Sequence, residues 1–147
     1  MKKILFYSSD ATVNLKNRSA VKLLIIFLFT EEMITLNGIT YFFCSDEYLF
    51  EINRRYLNHN TYTDVITFPL SNPHEPIVGE IYISSERIKE NAKNYKVSYQ
   101  SELVRVLIHG ALHLCGYNDD TALKKEQMRS KENFYLKKFK VSREAFD

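Results

Sequence analysis

The chain has 147 residues, 45% hydrophobic and 26% charged, long enough for one domain that buries about two-thirds of its unfolded surface. Its two cysteines, Cys44 and Cys115, exclude a disulfide framework and point to a reducing, cytoplasmic setting. The longest apolar run, LLIIFLF from Leu23 to Phe29, is far short of the roughly 20 residues of a bilayer span, and the net charge of only +2 leaves any polyanion binding to local charge.

KKILFY, from Lys2 to Tyr7, reads as a strand. Asn17 to Met33 carries enough apolar residues for a buried helix, ended before Asn37-Gly38, a turn signal. ITYFFCS, from Ile39 to Ser45, is β-branched and aromatic and reads as a strand. Ser45 or Asp46 can cap a helix over Glu47–Leu57. YLNHNTYT is an irregular connection, DVITF a short strand broken by Pro69, and Ser71 to Pro76 a loop with two prolines. GEIYIS alternates as a strand does, and Ser84 or Ser85 caps a helix running to Tyr95. Ser98 opens the helix YQSELVRVLIHGALHLC, whose apolar residues surround its axis, so it is central and buried. Gly116 supplies the left-handed residue that ends it.

A charged helix from Leu123 to Phe139 closes the pattern. Between Thr121 and Arg143, eight lysines and arginines stand against two glutamates. Such a stretch can dock on phosphates by releasing counterions, although a solvated helix face is the commoner use. No repeat or linker interrupts the chain. The fold class expected is α+β: one compact domain over residues 1–147, with a small mixed sheet packed by helices around the histidine-bearing one.

His109 and His113 are four apart and project from one face of their helix, stacked one turn apart. That spacing lets two imidazoles share one zinc-sized ion, and a mononuclear hydrolytic site needs a third ligand and an open position. After the Gly116 turn the chain doubles back, placing Asp119 to return a carboxylate to the pair. The competing reading is two hydrogen-bonded core histidines. Burial on an almost wholly apolar helix demands a partner for each, and the turn with its carboxylate favours metal. Cys115 points to a different helix face and belongs to the core, and Asp120 can cap the last helix. In the H-E-x-x-H metalloprotease pattern the residue after the first histidine is the general base; here it is Gly110.

HGALHLCGYNDD, from His109 to Asp120, resembles the H-G-x-L-H-L-x-G-Y-D-H signature of the YbeY family, the bacterial endoribonucleases and rRNA maturation factors. INRRYLNHNTYTDVITFP is similar to that family's L-N-x-x-Y-R stretch followed by T-D-V-L-S-F-P, and GEIYIS to its G-D-I-x-I-S strand. With the terminal helix, these segments follow the family order over most of Cys44 to Phe139. The resemblance implies a compact α+β, metal-dependent hydrolase, usually assigned zinc, that acts on RNA in small-subunit rRNA maturation and ribosome quality control. By position it makes His109 and His113 the first two metal ligands. The family's third ligand is usually a histidine; here Asp119 stands in its place, which leaves manganese or iron(II) as alternatives to zinc. The arginine that ends L-N-x-x-Y-R is replaced by Leu57.

The function expected is therefore metal-assisted endonucleolytic cleavage of single-stranded RNA, with rRNA and the small ribosomal subunit as partners, ribosome-associated proteins beside them, and no membrane or DNA. The ion is assigned to His109, His113 and Asp119. Arg54, Arg55 and the basic last helix are candidates to offset phosphate charge, against the ordinary reading as surface charge. Asp64 is a candidate base or orienter of a histidine, or else a strand-start turn residue. Phe68 and Tyr82 are strand aromatics able to stack on bases, a role that competes with core packing. His59 and His74 read as exposed loop residues, His59 the nearer to the site. The alternatives are a ribosome-assembly factor with a structural metal and, against Gly110, a metalloprotease.

Overall fold

The computed structural model describes residues 3–57 and 63–146. Among these residues nine elements follow in chain order: β1 (Lys3–Ser8), α1 (Arg18–Glu31), β2 (Leu36–Cys44), α2 (Asp46–Leu57), β3 (Val65–Pro69), β4 (Ile77–Ser84), α3 (Ser85–Tyr95), α4 (Tyr99–Leu114) and α5 (Ala122–Phe146). The four strands form one mixed sheet in the order β1-β2-β4-β3. β1, β2 and β4 run parallel, and β3 pairs antiparallel with β4 at the edge. Parallel neighbours need long crossovers, which α1 supplies between β1 and β2, and α2 with β3 between β2 and β4. Pro69 is the last residue of an edge strand, a place where a missing N–H donor is tolerated.

Strand alternation sends Ile39, Tyr41 and Phe43 of β2 and Ile81 and Ile83 of β4 into the main core. There they meet Ile25, Leu28 and Phe29 of α1 and Leu103, Leu107, Ile108 and Ala111 of α4. Tyr41 is wholly buried, and its hydroxyl donates to the Leu107 carbonyl at 2.9 Å, tying the sheet to α4. A smaller cluster of Cys44, Leu49, Ile52 and Ile66 seats α2 on the β3 end of the sheet.

α4 is the central helix expected from its apolar circumference. Ser98 caps it by accepting from the Ser101 N–H at 3.0 Å. Its other end is a Schellman motif: the Gly116 N–H donates to the His113 carbonyl at 3.0 Å and the Tyr117 N–H to that of Leu112 at 3.1 Å. Gly116 holds φ at 103°, where a side chain is strained.

Three local expectations are corrected. Asn37-Gly38 is not a turn but lies inside β2, at a register shift between Leu36 and Gly38. Strands on both sides hold Gly38 extended, opposite Lys3 and Val78, and the chain turns earlier, at Met33 with φ 60°. Asp120 does not cap α5: Thr121 does, its hydroxyl accepting from the Lys124 N–H at 3.1 Å, while Asp120 pairs with the Lys124 ammonium at 3.3 Å. α5 also runs beyond Phe139 to Phe146.

Candidate metal centre

One turn of α4 separates His109 from His113, and their Nε2 atoms lie 3.0 Å apart. The Schellman turn brings Asp119 back so that its Oδ2 lies 3.4 Å from His109 Nε2 and 3.6 Å from His113 Nε2. Two ligands each ~2.0–2.1 Å from one tetrahedral zinc stand about 3.4 Å apart, so the three separations bracket what such an ion requires. Among the described residues, these three form the group whose donor atoms lie within 4.8 Å of one another.

The far side of each ring decides which nitrogen faces that point. His109 Nδ1 lies 2.5 Å from Glu132 Oε2, and His113 Nδ1 lies 2.9 Å from the Tyr117 carbonyl oxygen. A carbonyl only accepts, and so does an ionised carboxylate, so each Nδ1 must carry the proton and donate it. In the neutral ring each Nε2 then keeps its lone pair on the side of Asp119, the arrangement of a histidine ready to ligate.

Glu132 is one of three charged side chains buried beneath His109. Glu102 and Glu132 are 2% exposed and Arg105 is 9% exposed. The Arg105 guanidinium donates Nη1–H to Glu132 at 2.7 Å and its Nε–H to Glu102 at 2.9 Å, with a second, shorter contact from Nη2 to Glu102. Burying these charges is tolerable because every one is paired. Burial works against ionising Glu132, but His109 and Arg105 outweigh it and hold its pKa below the usual glutamate value. Burial likewise works against a charged His109, yet Glu132, with Asp64 and Asp119 behind it, raises its pKa above the ordinary imidazole value. Burial and the neighbouring His109 push His113 the other way.

A cleft of about 370 Å³ opens over His109 and Asp119, and Asp64 lies on its wall. Arg54 and Arg55 are not among the described residues lining it. Both stand exposed near the end of α2, Arg54 paired with Glu51 at 2.7 Å, and Leu57 ends that helix. His74 is an exposed loop residue, and His59 lies outside the described residues. Phe68 and Tyr82 pack against the α2 cluster and against each other, ring centroids 5.7 Å apart. Cys115 packs against the main core, where burial pushes its thiol up to about 12.

Glu102, Arg105 and Glu132 were missed in the sequence. The available signal was a Glu and an Arg three apart on a helix otherwise apolar all round, where each must find a partner; Glu132 offered none, since its own stretch of sequence is charged throughout. Gly110 stands where a metalloprotease has its glutamate, and a Cβ there would come within 2.8 Å of Ile81 Cγ2 on β4. α4 is pressed onto the sheet at this point and leaves no room for that base. No helix among the described residues is long and apolar enough to cross a membrane.

A family model described as Endoribonuclease YbeY matches residues 4–140. A protein of that name from Amoebophilus asiaticus is 42% identical over 133 residues, which are 90% of this chain and 90% of the relative. One from Flavobacterium psychrophilum is 55% identical over 103 residues, 70% of this chain and 73% of the relative. A solution structure from Thermotoga maritima superposes with a TM-score of 0.64 at 25% identity, covering 99% of this chain and 93% of that one.

Proposed function

Because the chain belongs to the YbeY endoribonuclease family and is thereby a hydrolase of RNA, we propose that it cuts single-stranded RNA with a zinc ion held by His109, His113 and Asp119. Its substrate is the precursor of small-subunit rRNA, met in the cytoplasm on or beside the small ribosomal subunit, and the same cleavage serves ribosome quality control. The observation that carries the metal assignment is the convergence of two imidazole Nε2 atoms and one carboxylate, with both Nδ1 atoms committed elsewhere. A divalent cation there supplies positive charge for a phosphoryl oxygen and acidity for a water.

The chain's own residues do the rest. Glu132 and the Tyr117 carbonyl hold the two rings in the ligating tautomer. Asp64, on the cleft wall, is the candidate to take a proton or orient the attacking water. Arg54 and Arg55, exposed near the end of α2, are assigned to RNA beyond the cleft. A purely structural metal is disfavoured by the donor count: such sites are closed by four protein ligands, and three converge among the described residues.

The test is cleavage of a precursor small-subunit rRNA fragment by the purified protein, with and without chelator, beside His113→Ala. Cleavage by the metal-loaded protein, abolished by chelator and by the substitution, is the expected result. An intact substrate under metal-replete wild type, alone and with small subunits added, would leave the assembly-factor reading in its place.

A further inference from the structure

The cleft over His109 has a second wall of opposite character. Tyr95, at the end of α3, and Lys125 and Arg129 of α5 line it together with His109 and Asp119. The Arg129 guanidinium lies 5.7 Å from the centroid of the Tyr95 ring, and that of Arg105 lies 5.9 Å from the same ring. The two arginines do different work. Arg105 is buried and satisfied by Glu102 and Glu132, whereas Arg129 is exposed, and among the described residues no carboxylate pairs with it or with Lys125.

A guanidinium resting on an aromatic face keeps its planar fork of donors for another acceptor, and the ring restricts it to few orientations. Lys125 and Arg129 are four apart, so they rise from one face of α5, a turn from each other. That face borders a site crowded with carboxylates, among them Asp64, Asp119 and Glu126. A polyanion reaching this cleft meets repulsion unless cations stand beside it, and Leu57 brings none.

We infer that Lys125 and Arg129, the latter mounted on Tyr95, form a binding rail for the phosphates of the RNA strand flanking the metal site. This rests on the RNA-cleaving reading above and adds to it the residues that hold the strand. The rail reads charge and not sequence, because its donors address phosphate oxygens.

The measurement is the Kd of chelator-treated protein for a fluorescein-labelled single-stranded RNA of mixed sequence, by anisotropy across a salt series. Arg129→Ala and Lys125→Ala are compared with Lys138→Ala, which removes the same charge from the opposite face of α5. Each rail substitution is expected to reduce the slope of log Kd against log salt by about 0.7, the share of one single-strand phosphate contact. Lys138→Ala should leave the slope in place, and none of the three should change metal affinity. Arg129→Lys should keep the slope yet weaken binding, because the charge remains and the fork on Tyr95 does not. Equal effects from Lys138→Ala would reduce the rail to diffuse helix charge and overturn it. So would wild-type slope in both rail variants while wild type still cuts RNA, and that outcome leaves the cleavage reading standing. If wild type neither binds nor cuts RNA, both fall.

Discussion

Glu132 illustrates how one side chain can set the chemistry of another without touching the reacting atoms. Its carboxylate gives one oxygen to Arg105 and the other to His109 Nδ1. Because it is ionised it can only accept, and this fixes the His109 tautomer and leaves Nε2 basic. Glu132→Gln nearly preserves shape but replaces an anion with a group that presents either an oxygen or an NH2. Metal affinity is expected to fall about 10–100-fold, the usual effect of losing a histidine's carboxylate partner. Competition against a chromogenic chelator measures it directly. Unchanged affinity would mean that Glu132 serves Arg105 alone.

At the scale of elements, the site depends on how closely α4 lies on the sheet. Gly110 sets that distance, since an added Cβ would sit 2.8 Å from Cγ2 and 3.1 Å from Cδ1 of Ile81. Ile81 is wholly buried and cannot swing aside into solvent. Gly110→Ala thus combines two opposed terms: an overpacking cost of about 1–3 kcal/mol and a helix-propensity gain of about 1 kcal/mol. The cost wins, because the gain is at its limit while the clash falls against a stiff branched side chain in close packing. The thermal midpoint should drop by a few degrees, about 2–4 °C per kcal/mol for a domain of this size. A raised midpoint in a melting scan would show that α4 can lift from β4 without penalty.

At the scale of the whole molecule, three separate parts of the chain meet at Glu32, just past the end of α1. Its carboxylate accepts from the Tyr117 hydroxyl at 2.5 Å, the Lys131 ammonium at 3.1 Å and the Tyr135 hydroxyl. Tyr117 also lends its carbonyl to His113, so this knot supports the candidate metal centre from behind. Burial alone would raise the Glu32 pKa, but the three donors outweigh it and hold it below the ordinary glutamate value. A depressed folded pKa contributes stability that is fully present above the unfolded value of about 4.3 and disappears as pH falls through the folded one. Glu32→Gln should therefore cost about 1–3 kcal/mol at neutral pH, where it removes charge-assisted hydrogen bonds. Its stability curve should converge on that of wild type as pH drops below about 4. Urea titrations from pH 7 to pH 3 check this, and a constant gap across that range would assign the loss to packing instead.

How much of this could be read in advance follows from the range of each interaction. Local chemistry was legible: Ser98 and Gly116 bound α4, its apolar circumference declares it central, and the spacing of His109 and His113 with the Gly116 turn and Asp119 assembles the donor set within eleven consecutive residues. The motif was also specific enough to carry the family. What depended on distant parts of the chain was not legible. Asn37-Gly38 has the composition of a turn and becomes strand only because β1 and β4 pair on either side of it. Glu132 lies 23 positions from His109, in a segment rich in charged and polar residues, and nothing local marks it as buried. Arg129 and Lys125 likewise line the cleft, Arg129 over the Tyr95 ring of α3, which nothing in their own segment announces. The sequence by itself determined the helices, the cap and stop of α4 and the nitrogen and oxygen donors, since these arise from neighbours a few residues apart. Only the tertiary structure decided strand pairing, the partner of each buried charge and which cations face the cleft, because those energies exist only once remote segments are packed together.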